Sequence, residues 1–341
     1  MATKRRSMRL TQLESKPRTY INQQPILTIH CSWKLPNESS KSTFAPLEKK
    51  QNSWEGHPGH PFALAIGTQL DGSKLFQVVG TTDAADIVIL VESNIFKTRE
   101  YLTEILDDKL LKTRANDCYC INYEDDALGL LQGMYAGLPK RRFEPNRHVA
   151  TGYLKPPNDD DLVRDQFHRT NENLEPIQLI SFRGALSHPV RKRLIAMRDA
   201  WRHLGPITHV DRWFNHSLEE KKSYWQEILE SKFVLCPRGI SPSSIRLFEV
   251  MELGRIPVII SDDWIPPKGP EWNSCSLIVK EARIETIPTT ILAMESDWQE
   301  MAFNARQAWE QHFSHFSPQK KTENAIRNTI ELSRQRRDNH N

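Results

Sequence analysis

The chain has 341 residues, 38% of them hydrophobic and 26% charged, with a formal net charge of +3. That length accommodates two domains with buried cores. The balance of 46 basic against 43 acidic residues excludes the strongly basic surface of a general nucleic-acid binder. No apolar run approaches the roughly 18–20 residues that span a bilayer as a helix. The five cysteines, at 31, 118, 120, 236 and 275, are odd in number and include no CxxC pair. They read as reduced, buried thiols rather than a disulfide frame or a zinc site.

Residues 1–24 are polar and basic and read as a disordered tail. MATKRRSMRL has no apolar core after it, so it is not read as a signal peptide. Its charge suits only weak contact with an anionic membrane surface. The expected location is the cytoplasm, peripheral to a membrane at most.

The first domain is placed at 25–170. Pro25 to Cys31 reads as a strand, and residues 34–60 are irregular, ending in GHPGHP. Phe62 to Thr68 reads as a strand or a buried helical turn, and Asp86 to Glu92 as a buried strand. Thr98 to Leu111 has the period of an amphipathic helix. CYCIN, Cys118 to Asn122, is another strand, followed by the acidic loop Tyr123 to Asp126. Residues 155–176, with Pro156-Pro157 and Asp159 to Asp161, show no apolar period and read as a linker.

A second domain at 171–300 alternates more regularly. Strands are expected at 177–182, 208–210, 233–236, 256–260 and 276–280, with helices at 189–203, 218–231, from Ile245, and near 287–294. Residues 301–341 complete a C-terminal helical segment, for which Trp298, Trp309 and Phe313 are the apolar anchors. The fold class is therefore α/β, with two Rossmann-like domains.

The stretch FVLCPRGISPSSIRLFEVMELGRIPVIISDDWIPP, from Phe233 to Pro267, carries the chemistry. It reads as a strand–helix–strand unit whose polar loops gather at the carboxyl ends of parallel strands, where open α/β sheets bind ligands. Arg238, Ser241, Ser243, Ser244 and Arg246 surround the start of the helix. Free N–H groups and the positive end of the helix dipole there suit a phosphate. Glu249, three residues after Arg246, can accept hydrogen bonds from ribose hydroxyls. The plain structural alternative is a Ser-capped helix with an Arg–Glu pair on a solvated face.

Cys236-Pro237, Gly239, Ser244-x-Arg246, Glu249, Gly254, Pro257-Val258-Ile259 and Ser261-Asp262 occur in the order and spacing of a known pattern, and Pro266-Pro267 extends it. On these residues the chain resembles the exostosin family, glycosyltransferase family 47. The resemblance implies a GT-B fold, in which two Rossmann-like domains face a cleft and C-terminal helices cross back. It also implies a UDP-sugar donor and inverting transfer of a hexosyl or pentosyl group to a hydroxyl of a glycan or other acceptor. No cofactor beyond the donor is expected. Family members commonly carry an N-terminal membrane span, and this sequence departs from that pattern.

Within this framework Arg183, Gly184 and Arg191 sit after the first strand of the second domain, where two arginines can clamp a diphosphate. Asp262, from the closing Ser-Asp pair, joins the nucleotide-sugar set. Inverting transfer is a single displacement and needs one general base. Asp125 and Asp126, at the carboxyl end of a first-domain strand, are the leading candidates, ahead of Asp83, Glu92, His57 and His60. Asp262-Asp263 lacks DxD spacing and Asp159 to Asp161 lie in linker-like sequence, so no metal is expected. A fucosyltransferase-like enzyme using a GDP-sugar, and a non-catalytic nucleotide- or sugar-binding relative, remain the alternatives.

Overall fold

A computed structural model describes strand backbone at 20–21, 24–25, 27–34 and 44–46, and residues 76–92, 106–123, 125–153, 159–211, 216–314, 322–329 and 331. The expected elements at 62–68 and over most of 98–111 lie outside these residues, as do His57 and His60.

The first unit holds short strands β1 (Tyr20–Ile21) and β2 (Gln24–Pro25), which pair with each other, then β3 (Leu27–Lys34), β4 (Phe44–Pro46), β5 (Phe76–Val78) and β6 (Ile87–Glu92). A short helix α1 (Lys109–Arg114) precedes β7 (Cys118–Asn122), β8 (Gly133–Tyr135) and β9 (His148–Ala150). Its sheet runs β4-β3-β6-β7-β8-β9, with β5 beside β3, and only β4 is antiparallel. CYCIN is buried at all five positions, as a parallel strand covered on both faces should be. Cys118, Cys120, Cys236 and Cys275 are buried thiols outside any disulfide, and burial pushes the Cys118 and Cys236 thiols up to about 12.

The residues expected to form a linker instead contain a twelve-residue helix, α2 (Asp159–Thr170). Its sequence has no apolar stripe, yet Asp161, Arg164 and Asp165 are buried. Val163 and Phe167 pack it against Trp225 and its neighbours in the second unit, and charge pairing described below adds a force that periodicity does not register.

The second unit follows the sequence expectation closely. Strand β10 (Gln178–Gly184) leads into α3 (Pro189–Ala196) and α4 (Arg198–Trp201), then β11 (Ile207–His209), α5 (Leu218–Leu229) and β12 (Ser231–Pro237). Helix α6 (Ile245–Glu252), β13 (Ile256–Ile260), α7 (Trp272–Cys275), β14 (Leu277–Val279), α8 (Ile287–Met294) and α9 (Trp298–His312) complete it. All five strands are parallel in the order β11-β10-β12-β13-β14, the doubly wound order 2-1-3-4-5. Ser217 and Glu220 form a full capping box that starts α5.

Helix α6 is apolar on both flanks. Leu247, Phe248 and Met251 pack with Ile259, Trp264, Trp272, Trp309 and Phe313, while Val250 and Leu253 pack with Trp225, Ile228 and Val234. The remaining stripe carries Arg246 and Glu249 at i, i+3 spacing. Trp309 and Phe313 of the C-terminal segment are buried, and Phe313 also meets Gly152 of the first unit. The aromatic contact Tyr153–Phe248 joins the two units at this point, with Phe313 packed on Phe248.

Two glycines with positive φ separate backbone strain from crowding. Gly205 (φ 152) hands the chain into β11, and a Cβ there would lie 1.9 Å from the Ile180 carbonyl oxygen. Gly254 (φ 64) ends α6, and its nearest neighbours would be 3.8 Å away. Gly254→Ala is expected to cost about 1–2 kcal/mol from the left-handed backbone alone. Gly205→Ala should cost more than that, because backbone must also move. Denaturant midpoints decide the point, and equal losses in the two variants would refute the crowding argument.

Candidate active site

The site begins where two strands part. β10 pairs with β12 only from Gln178 to Ser181. Beyond that, Phe182 to Gly184 pair with β11, and Leu235 to Pro237 pair with β13. A crevice therefore opens between the carboxyl ends of β10 and β12, at the topological switch point. The carbonyls left facing it need donors.

Arginines supply them. Arg191, entering from α3, donates from Nε to the Arg238 carbonyl at 3.0 Å, from Nη1 to Ala185 at 3.1 Å and from Nη2 to Pro237 at 3.1 Å. Burial and then the neighbouring Arg246 push its guanidinium down to about 10. Arg246 lies over the Phe182 ring at 4.9 Å and donates from Nη2 to the Arg183 carbonyl. Gly184 leaves room for this, since a Cβ there would sit 2.9 Å from Arg246 Nη2. Arg246 Nε donates to the Tyr224 hydroxyl oxygen at 3.1 Å, and that hydroxyl donates to Glu249 Oε2 at 3.0 Å.

The other expected donor-site residues divide. Arg183 does not join Arg191. Its side chain turns to α5, donating from Nε to Glu227 at 2.9 Å and from Nη1 to Ser223 at 3.2 Å. Ser244 is the N-cap of α6 by position, with no side-chain capping bond. Ser243 donates its N–H to Ser241 Oγ at 3.3 Å. Asp262 exchanges hydrogen bonds with Glu281, backbone N–H to carboxylate in both directions at 3.1 Å. Four buried atoms near the carboxyl ends of β12 and β13 and the start of α6 have no hydrogen-bond partner: Arg238 Nε, Ser243 Oγ, Arg246 Nη1 and Ser261 Oγ. Buried polar atoms in folded proteins are nearly always satisfied, by protein, water or ligand.

The first unit meets this edge with the carboxyl ends of its own strands. Asp125 and Asp126 follow β7, Lys140 to Arg142 follow β8, and Tyr153 follows β9. Asp126 sits at φ 51, and its Oδ1 accepts from Arg141 at 3.2 Å and Arg142 at 3.1 Å. Arg141 also pairs with Asp263 across the units, and the Lys140 N–H donates to the Asp263 carbonyl at 2.8 Å. Arg238 Nη1 reaches the same Asp263 carboxylate at 3.1 Å. Asp125 is exposed. Tyr153 is pushed up to about 12 by burial, with Asp125 adding to the shift, and its hydroxyl faces Ser241 at 3.4 Å. Asp83 precedes β6 and so stands at the opposite end of the sheet, whereas Glu92 closes β6 opposite Asn122.

Arg141, Tyr224 and Arg164 carry no sequence signal of their own, and Asp263 enters the sequence reading only as a failed metal motif. Arg141 lies in the basic run Lys140 to Arg142, which was the one readable signal. Among the described residues no group of three or more His, Cys, Asp or Glu side chains could hold a metal, and no helix is long and apolar enough to cross a membrane.

The geometry defines a two-sheet, parallel α/β protein with an arginine-lined switch-point crevice. Residues 113–294, more than half of the chain, match the Exostosin GT47 domain, and the chain belongs to that family. An Exostosin-1 homolog of Caenorhabditis elegans is 34% identical over 85 residues, covering 24% of this chain and 20% of the relative. A probable glucuronoxylan glucuronosyltransferase of Arabidopsis thaliana is 34% identical over 129 residues, covering 34% of this chain and 28% of its own length. The chain thus spans a fifth to about a quarter of these relatives. Among solved structures, an alpha1,3-fucosyltransferase aligns with TM-score 0.38 at 11% identity, over 85% of this chain and 84% of that one. UDP-GlcNAc 2-epimerase from Neisseria meningitidis aligns with TM-score 0.35 at 9% identity, over 90% and 99%.

Beneath α6 lies a buried ionic group. Arg164 of α2 reaches Asp161 at 2.7 Å and Glu252 at 2.8 Å. Burial pushes the Glu252 carboxyl up to about 7, against the pull of Arg164. Its neutral form is favoured in the fold, while the unfolded carboxyl titrates near ~4.3. The folded chain therefore holds an extra proton between those values. This contribution to stability is full below the unfolded value and is lost as pH rises through about 7. Relative to wild type, Glu252→Gln should gain stability by on the order of 2–3 kcal/mol between about pH 5 and pH 8. Chemical denaturation across that range measures it, and a pH-independent difference would contradict the assignment.

Proposed function

We propose that this protein is an inverting glycosyltransferase that binds a UDP-sugar at the crevice between β10 and β12. The observation that carries the reading is the set of buried cationic and polar groups at the strand ends, above all Arg246 with its unpartnered Nη1, one helical turn from Glu249. Arg246, Arg238 and the N-terminus of α6 suit the diphosphate. Arg191, whose N–H groups are engaged by carbonyls, adds charge to that environment without needing to touch it. Glu249 accepts the ribose hydroxyls. The relatives' names make a glucuronosyl donor the first sugar to test.

In the reaction an acceptor hydroxyl oxygen attacks the anomeric carbon as the bond to the UDP oxygen breaks. The attacking oxygen loses its proton to a carboxylate, and the leaving diphosphate keeps the bonding electrons. The cations and helix dipole stabilise the charge that develops on the diphosphate, so transfer is proposed to be metal-independent. Asp125 is the proposed base. Asp126 is ranked behind it because its Oδ1 is already shared by Arg141 and Arg142.

Arg246→Met and Glu249→Gln should each weaken UDP binding by on the order of 1–3 kcal/mol while circular dichroism reports an intact fold. Calorimetry giving unchanged UDP affinity in both would remove the donor site from α6. Tighter binding of GDP than UDP would move the reading to the fucosyltransferase-like alternative.

Asp125→Asn should reduce turnover by on the order of 10²–10⁴ with UDP affinity intact, measured in EDTA, where the wild type remains active. Wild-type turnover in the Asn variant would place the base elsewhere, with Asp126 and Glu92 next. Nucleotide binding without turnover on any acceptor would favour the non-catalytic alternative.

A further inference from the structure

Helix α2 reaches under the proposed donor helix and ends at the one carboxylate assigned to the ribose. Arg164 is 5% exposed, Asp161 0% and Glu252 1%. Arg164 Nη2 donates to Asp161 Oδ1 at 2.7 Å, and Nε donates to Glu252 Oε2 at 2.9 Å. Its third nitrogen, Nη1, faces Glu249 Oε1 at 3.7 Å. The Trp225 ring packs on the guanidinium at 5.9 Å. Burial opposes its charge, but Glu249, Glu252 and Asp161 outweigh that and hold it protonated.

On the other side of Glu249, Oε2 accepts from the Tyr224 hydroxyl. That hydroxyl spends its one O–H on Glu249, so its oxygen is left to accept from Arg246 Nε. The Glu249 carboxylate is thus hydrogen-bonded to a hydroxyl at one oxygen and faces a buried cation at the other. A glutamate side chain has three rotatable bonds, and fixing it beforehand spares that ordering when a ligand arrives. The carboxylate remains partly open, with 22% side-chain exposure, and each oxygen keeps acceptor capacity. A merely structural ion cluster would need Asp161, Arg164 and Glu252. It would not need an arm toward Glu249, nor a tyrosine tying Glu249 to Arg246.

We infer that Arg164 and Tyr224 are positioning residues that hold the Glu249 carboxylate toward the ribose hydroxyls of the nucleotide donor. This rests on the reading of Glu249 as the ribose acceptor. Arg164 comes from the helix that follows the first sheet and Tyr224 from α5 of the second unit, so two separate elements share in building the donor site without touching the nucleotide.

The test compares calorimetric affinities for UDP and 2′,3′-dideoxy-UDP, which lacks both hydroxyls. Wild type should favour UDP by on the order of tenfold or more, and Glu249→Gln should lose that preference. Tyr224→Phe and Arg164→Met should each lose most of it while binding the dideoxy compound within about twofold of wild type. Combining Tyr224→Phe with Glu249→Gln should add nothing further. Arg164→Met leaves buried carboxylates unpaired and can fail to fold. Tyr224→Phe leaves every ion pair intact and then carries the test. If Glu249→Gln loses the preference while Tyr224→Phe or a folded Arg164→Met keeps it, the inference fails for that residue and the ribose reading stands. If Glu249→Gln keeps the preference, the ribose reading falls and the inference with it.

Discussion

The parting of β10 from β12 is the constraint from which the rest of the second unit follows. Four residues of ladder join them, and then each strand turns to its outer neighbour. The carbonyls of Arg183, Ala185, Pro237 and Arg238 lie at or just past the end of the ladder. Leaving a buried carbonyl unpaired costs about 1–3 kcal/mol. Arg191 and Arg246 fill that need with N–H groups. A backbone problem is thus solved by planting two guanidinium groups in the crevice of the sheet, where they are only partly neutralised. The positive field there is a consequence of the topology, and an anionic ligand is what it suits.

This explains why the sequence motif is spaced as it is. Gly184 is needed because Arg246 crosses over the end of β10. Arg246 must sit on the stripe of α6 that both apolar flanks leave open, and Glu249 follows three residues later on the same stripe. Gly239 has the same kind of reason, since a Cβ there would meet Ser187 Oγ at 2.9 Å and Arg191 Nη2 at 3.2 Å.

Much of this was legible in the residues. Continuous apolar runs such as IPVII marked the central parallel strands, and Gly254 marked the end of α6 correctly because its φ of 64 requires it. The position of Asp125 and Asp126 at a carboxyl strand end was legible too. Side-chain direction was not. Arg183 and Arg191 look like one clamp in sequence, but Arg183 leaves the sheet toward Glu227 while Arg191 turns into the crevice. The segment DDDLVRDQFHRT of α2 reads as a linker because Leu162, Val163 and Phe167 set no apolar period. It is anchored by Val163 and Phe167 on the Trp225 cluster and by the bond of Arg164 to Glu252, 88 residues away. No local pattern encodes a partner at that distance.

Two ionic networks of different character border the proposed site, and their burial assigns them different work. The Asp161–Arg164–Glu252 group is almost wholly buried, and removing Arg164 would strand the Asp161 charge at a cost of about 3–5 kcal/mol. It fixes α2 to α6 and so makes that helix part of the donor side. The Asp126–Arg141–Asp263 chain is different, with Arg141 at 52% side-chain exposure. A pair that open to water contributes only about 0–1 kcal/mol. It sets how the acidic loop after β7 approaches the strand ends of the second unit without locking it there. The nucleotide side of the proposed site is therefore rigidly built, whereas the side proposed to carry the base is held by contacts that solvent and an incoming acceptor can replace. That division fits a reaction in which the donor must be held still and the acceptor must enter between the two.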